Sequence, residues 1–295
     1  MGSNQNSIVS IENVKEDIQE EILNRIHAFS IESKKCEDNL VAKVEYINNG
    51  WKFKENNILP NDRIAEPNIL IKNKVNDRIV IILESPHKDE YSKQITAPAM
   101  GTTGENINKY LLDILNKKIG NPQGDKKEYD VILMNAIQYQ TSLGIDTEYF
   151  RDRVWLTLWN KGVARDEFIR KLEDYKPDII FNFCTNGSHK KDLIYILDKK
   201  KNSNMTYQYI DSLNLNIERK EDNNLYIGEK VVYKVTPKDS TNVYLLKGFV
   251  QTAIEESNLS SGNVKIFKGP HPSSWISKDS EEYEESFIDK IEFIK

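Results

Sequence analysis

Four stretches of the chain are apolar almost without interruption: RIVIILES (78–85), DVILMNAI (130–137), DIIFNFCT (178–185) and VKIFKG (264–269). Each is short, rich in Ile, Val and Phe, and lacks clean alternation. That is the pattern of a strand covered on both faces. Between them the apolar positions change period. Residues 104–118 put Ile107, Tyr110, Leu111, Ile114 and Leu115 on one helical stripe. Residues 165–175 do the same with Phe168, Ile169 and Leu172, and Pro177 ends the pattern. Residues 187–200, with Leu193, Ile194 and Leu197 inward, and residues 243–257 are predicted as two further helices. Strands alternating with helices predict an α/β fold, a three-layer αβα arrangement around a central four-stranded parallel sheet.

Two regions fall outside that predicted core. Residues 1–60 read as an N-terminal extension: a helix over 11–28, then VAKVEYINNGWKF, two strands around an Asn-Asn-Gly turn. Residues 202–240 read as an insertion whose NLYIGEKVVYKV forms a β-hairpin about Gly228. No repeat or low-complexity linker divides the chain, so residues 1–295 are expected to form a single domain.

Composition narrows the chemistry. A length of 295 residues suffices for one large α/β domain. Two cysteines exclude a Cys-rich zinc knuckle and a four-cysteine iron–sulfur cluster, and no cofactor is expected. No apolar run approaches the roughly 20 residues of a membrane span. The first residues lack the basic and apolar regions of a signal peptide, which makes a reducing cytoplasm the expected compartment. The net charge of −5 argues against indiscriminate nucleic-acid binding. Lysines gather, however, at 190–201 and at 265, 268 and 278, leaving room for a local basic face, and 281–285 form an acidic segment.

Ligands of open α/β sheets bind beyond the carboxyl ends of the strands. After the first strand comes Glu84-Ser85-Pro86-His87; a carboxylate at the end of a buried strand is costly unless used or paired. Further on, Ala97-Pro98-Ala99-Met100-Gly101-Thr102-Thr103-Gly104 runs into a helix. Gly101 and Gly104 let the backbone approach an anion there, though the stretch also serves as a plain helix cap. The second strand ends in Asn135, whose amide can read a base edge or cap a turn. The fourth is followed by Gly269-Pro270-His271-Pro272-Ser273-Ser274-Trp275. A carboxylate, an amide and a histidine therefore leave three strands at one edge.

In that order and on those elements the motifs resemble the uracil-DNA glycosylase superfamily, closest in pattern to its family-four and family-five enzymes. Leu83-Glu84-Ser85-Pro86-His87 is similar to their G-E-x-P-G motif. Pro98 through Gly104 keeps the Pro and both later glycines of their second stretch, Asn135 matches a strand-end Asn, and His271-Pro272-Ser273 matches their H-P-S. The likeness covers about residues 78–200 and 243–278. The departures are the missing cluster cysteines, Leu83 and His87 in place of glycines, and Ala99 where those enzymes carry a Phe that stacks on the flipped base. Stacking of that kind is worth about 1–3 kcal/mol.

The resemblance implies a DNA glycosylase that flips out a base and hydrolyses its N-glycosidic bond to leave an abasic site. The lost aromatic favours a bulky modified cytosine over plain uracil, with a role in base-excision repair or in defence against phage. The implied catalytic residues are Glu84, stabilising the sugar cation and orienting water, His271, donating to the departing base, and Asn135, reading the base edge. Ser273 and the backbone of 101–104, with Gly101, Thr102 and Gly104, would grip phosphates, and Ser274 would contact the DNA. Ser85, Pro86 and Ala99 would shape the base pocket. His87 is open between a second donor, a DNA contact and loop packing, and Trp275 between a wedge in the vacated stack and a residue packed on the insertion. DNA is the expected partner. A non-catalytic sensor of modified nucleotides on the same fold is the alternative.

Overall fold

The structure is a computed structural model that describes residues 35–59, 76–87, 90–91, 96–122, 127–139, 141, 151–152, 155, 158–159, 163–187, 194–197, 207–209, 219–221, 224–227, 230–234, 245–275 and 286–295. Chain order begins with an antiparallel pair, β1 (Asn39–Ile47) and β2 (Gly50–Asn56), joined through Asn48 and Asn49. Both asparagines have positive φ, 52° and 61°. That is the conformation a two-residue hairpin turn demands and Asn tolerates. Next come β3 (Asp77–Leu83), α1 (Thr102–Ile114), a π-helical turn (Leu115–Ile119) and β4 (Lys127–Asn135). Helix α2 (Val163–Tyr175) leads to β5 (Ile179–Asn182). After a second sheet of β6 (Ile194–Leu197), β7 (Tyr207–Tyr209), β8 (Arg219–Glu221), β9 (Asn224–Ile227) and β10 (Lys230–Lys234) come α3 (Leu246–Glu256) and β11 (Lys265–Lys268). The short α4 (Ser286–Asp289) and β12 (Glu292–Phe293) follow.

The main sheet is mixed and seven-stranded, ordered β12-β11-β5-β3-β4-β1-β2. This corrects the expected four-stranded parallel sheet. The four predicted strands are its parallel centre, β11-β5-β3-β4, and antiparallel strands extend it on both sides. The hairpin of residues 39–56 is therefore part of the sheet rather than an extension beside it. Its Val41, Val44 and Trp51 are buried, and β1 covers the edge that β4 would otherwise expose.

Alternate side chains of the central strands feed two cores, as strand periodicity requires. Val80, Ile82, Ile132 and Ile180 pack with Phe168 and Leu172 of α2 and with Phe249 and Val250 of α3. Ile79, Ile81, Leu133 and Phe181 pack with Ile107, Leu111 and Ile114 of α1. Helices thus cover both faces of the sheet.

Residues 194–197 correct another expectation. They form a strand, not part of a helix over 187–200, because they pair antiparallel with β7 and β10. The run IYIL satisfies either period when read alone, and pairing decides. The predicted hairpin about Gly228 is seen as β9 against β10, within a five-stranded sheet. The predicted helix over 11–28, the lysines at 190–191 and 199–201 and the acidic segment 281–285 lie outside the described residues. Among the described residues no helix is long and apolar enough to cross a membrane.

Candidate functional site

The three loops that matter leave β3, β5 and β11, which run parallel, so their carboxyl ends share one edge. Glu84 comes first after β3. Its backbone carbonyl accepts from the buried Trp155 indole at 2.8 Å and from the Ile137 N–H at 3.1 Å. Its carboxylate Oε2 accepts the Thr185 N–H at 3.1 Å, beyond the end of β5. The chain after β11 is braced on two sides. Asn106 of α1, itself buried, donates to the Pro272 carbonyl at 2.7 Å. Trp275 donates to the Pro270 carbonyl at 2.9 Å while its ring stacks on Phe287, centroids 4.7 Å apart.

Between these braces His271 meets Glu84, with Nε2 3.3 Å from Oε2. The Ser273 backbone N–H donates to Nδ1 at 3.2 Å. A backbone amide can only donate, so Nδ1 is the acceptor and the proton of the neutral ring sits on Nε2, facing Glu84. Burial lowers the His271 pKa from the ordinary 6.5. The Glu84 charge opposes this, while Lys247 and Arg151 push with burial. Beneath the pair, burial and then the Glu84 charge raise the Cys184 thiol well above its usual value. It is a protonated core thiol and no nucleophile.

Glu84 and His271 line one cavity of about 460 Å³, together with Ser85, His87, Ser273 and Ser274. That volume is within the ~300–1,000 Å³ of small-molecule sites. The lining also takes in Leu83, Thr185, Asn186 and Pro270 at the strand ends, and four residues to which the sequence reading gave no side-chain role: Glu90, Thr103, Arg151 and Lys247. Glu90 is a second buried carboxylate, and its Oε1 accepts the Ala99 N–H at 2.8 Å. Arg151 bonds the fully buried Asp152 at 2.6 Å. Nothing in the sequence separates these four from ordinary surface charges and hydroxyls; they sit in loops or a first helical turn with no strand end to flag them. Among the described residues of the lining none is Phe, Tyr or Trp.

The other predicted residues land elsewhere. Asn135 stands beside Leu83 in register but is not among the residues that line the cavity. Its amide donates to Cys36 Sγ at 3.7 Å, and its buried Oδ1 has no partner among the described residues. Ala99 is 1% exposed, belongs to the α1-side core and holds φ +56°. That strain costs a non-glycine residue about 1–3 kcal/mol and here turns the chain so that its N–H meets Glu90. Gly101 caps α1, and the N–H groups of Gly104 and Glu105 close on its carbonyl. Thr102 is exposed, Pro86 is buried, and neither lines the cavity. Trp275 is 1% exposed and packed among Tyr110, Phe183 and Phe287, in the core between α1 and α4 rather than on the 202–240 insertion.

Comparison of the chain with protein-family models, with curated proteins and with solved structures returns no match. Its chemistry must therefore be argued from the site itself.

Proposed function

We propose that the protein is a DNA glycosylase that extrudes a base and hydrolyses its N-glycosidic bond. The supporting observation is the His271–Glu84 pair, 3.3 Å apart in the wall of one cavity at the carboxyl edge of the sheet. A bound nucleotide would draw the Nε2–H away from Glu84 to a carbonyl oxygen of the departing base. The glycosidic electron pair leaves on the base nitrogen, and the donor stabilises the charge that develops there. Glu84, released from the imidazole, faces the sugar cation and takes a proton from the water that adds to C1′. With no Phe, Tyr or Trp among the described lining residues, the carboxylates, hydroxyls and cations there favour polar contacts to the base, as a substituted cytosine offers.

The test is incubation with DNAs bearing uracil, hypoxanthine, hydroxymethylcytosine and its glucosylated form, followed by alkaline cleavage of abasic sites. Wild-type protein should cut at least one. His271→Ala and Glu84→Gln should each lose about 10²-fold or more, the usual size of a lost transition-state contact. Absence of abasic sites on every DNA, phage DNA included, sinks the reading. That Asn135 is not among the lining residues favours a second one, a sensor that binds modified nucleotides without cleaving them. Saturable binding without abasic sites would select it.

A further inference from the structure

Lys247 is in the first turn of α3, where the Leu246 and Lys247 N–H groups bond the carbonyls of Asn186 and Thr185 beyond β5. Its side chain faces two cavities at once: the one that holds Glu84 and His271, and a neighbour of about 470 Å³ that also contains Lys268 and Lys290. Nζ donates to the Gly269 carbonyl at 2.5 Å, two residues before His271. One amine is thus fixed at the junction of the two cavities by the same loop that carries the imidazole.

Its surroundings favour the neutral amine. Burial, the largest influence, lowers the Lys247 pKa and Lys268 pushes the same way, against Cys184, Glu84 and Glu292. The positive end of the α3 dipole adds to the discomfort of an ammonium there. Desolvated lysines beside other cations are the ones that act as nucleophiles toward carbonyl groups.

We propose that Lys247 is an amine nucleophile toward the sugar aldehyde of an abasic site, which would give the protein a strand-cleaving activity beyond base removal. The proposal rests on the glycosylase reading for the origin of its substrate. In the ring-opened sugar the Nζ lone pair attacks C1′, and the carbinolamine loses water to give a protonated imine. Glu84 then takes the C2′ proton. Those electrons form the C2′–C3′ double bond, and the C3′–O bond breaks with departure of the phosphate. No oxidant or reductant takes part.

The experiment supplies the abasic site ready-made, in a duplex oligonucleotide prepared separately, and adds sodium borohydride to the full-length protein. The expected result is a covalent protein–DNA adduct that survives denaturing electrophoresis and maps by mass spectrometry to Lys247. Lys247→Arg, which keeps a donor for the Gly269 carbonyl but cannot form an imine, should form none. No adduct above that of heat-unfolded protein, or an adduct mapped to another amine, overturns the proposal. Because the abasic DNA is supplied, the two readings fail separately. Excision without adduct removes only the lysine chemistry, whereas adduct without excision from any modified DNA removes only the glycosylase reading.

Discussion

His271 illustrates how a single ring can be held in one protonation state by its neighbours. A proton on Nδ1 would point at the Ser273 N–H, donor against donor. Burial acts in the same direction. The folded pKa therefore lies below the unfolded 6.5, and the sign of the consequence is fixed. As pH falls below 6.5 the unfolded chain takes up a proton first, so stability declines from there down through the lowered folded value. Above 6.5 both states hold the ring neutral and this contribution is constant. A ¹⁵N titration of the imidazoles should give His271 a midpoint below 6.5, with an Nε2–H signature on the alkaline side. A midpoint at or above that value would mean that Glu84 outweighs burial and that the ring is charged when it works.

At the scale of elements, the site depends on a link between α1 and the loop after β11. Asn106 and Pro272 are both buried, and their hydrogen bond of 2.7 Å crosses between the two. Asn106→Ala would leave the Pro272 carbonyl only the Trp275 N–H at 3.1 Å, at a cost of about 0.5–1.5 kcal/mol. Urea unfolding should show that loss, and base release should slow as well, since the loop carries His271. Unchanged stability and rate would show that the loop is held by Trp275 alone. This link was not readable from sequence. The amphipathic stripe of residues 104–118 made α1 legible through Ile107, Leu111 and Ile114, but Asn106 beside them looks like any solvated helix position. The strands had clearer signatures, because burial on both faces removes the alternation that marks an exposed strand. Glu84 and His271 were legible for the same reason: each follows such a run directly. Glu90, Arg151 and Lys247 were not, since a charged residue buried by distant loops carries no local mark.

At the scale of the whole molecule, the main misreading of the sequence concerned the sheet's extent. VAKVEYINNGWKF was correctly seen as a hairpin, yet it was assigned to an N-terminal extension outside the core. Its partner, β4, is remote in sequence, and only the fold brings the two together. Trp51 shows how completely the hairpin is incorporated. Its backbone N–H donates to Asn116 at 3.0 Å and its indole to the Gly120 carbonyl at 2.9 Å, both just after α1. Val41, Val44 and Ile58 are buried with it in the α1-side core. Burial of each such side chain contributes about 1.5–3 kcal/mol, so losing all four approaches the ~5–15 kcal/mol stability of a typical domain. A chain lacking residues 1–59 should therefore fail to unfold cooperatively and should associate through the bared edge of β4. Trp51→Ala gives the graded version, a loss of about 3–5 kcal/mol with the fold retained. Denaturant unfolding followed by circular dichroism measures both. A shortened chain that stayed monomeric, unfolded in one transition and still released bases would make the hairpin an appendage after all, and the sheet would need only its parallel centre to hold Glu84 against His271.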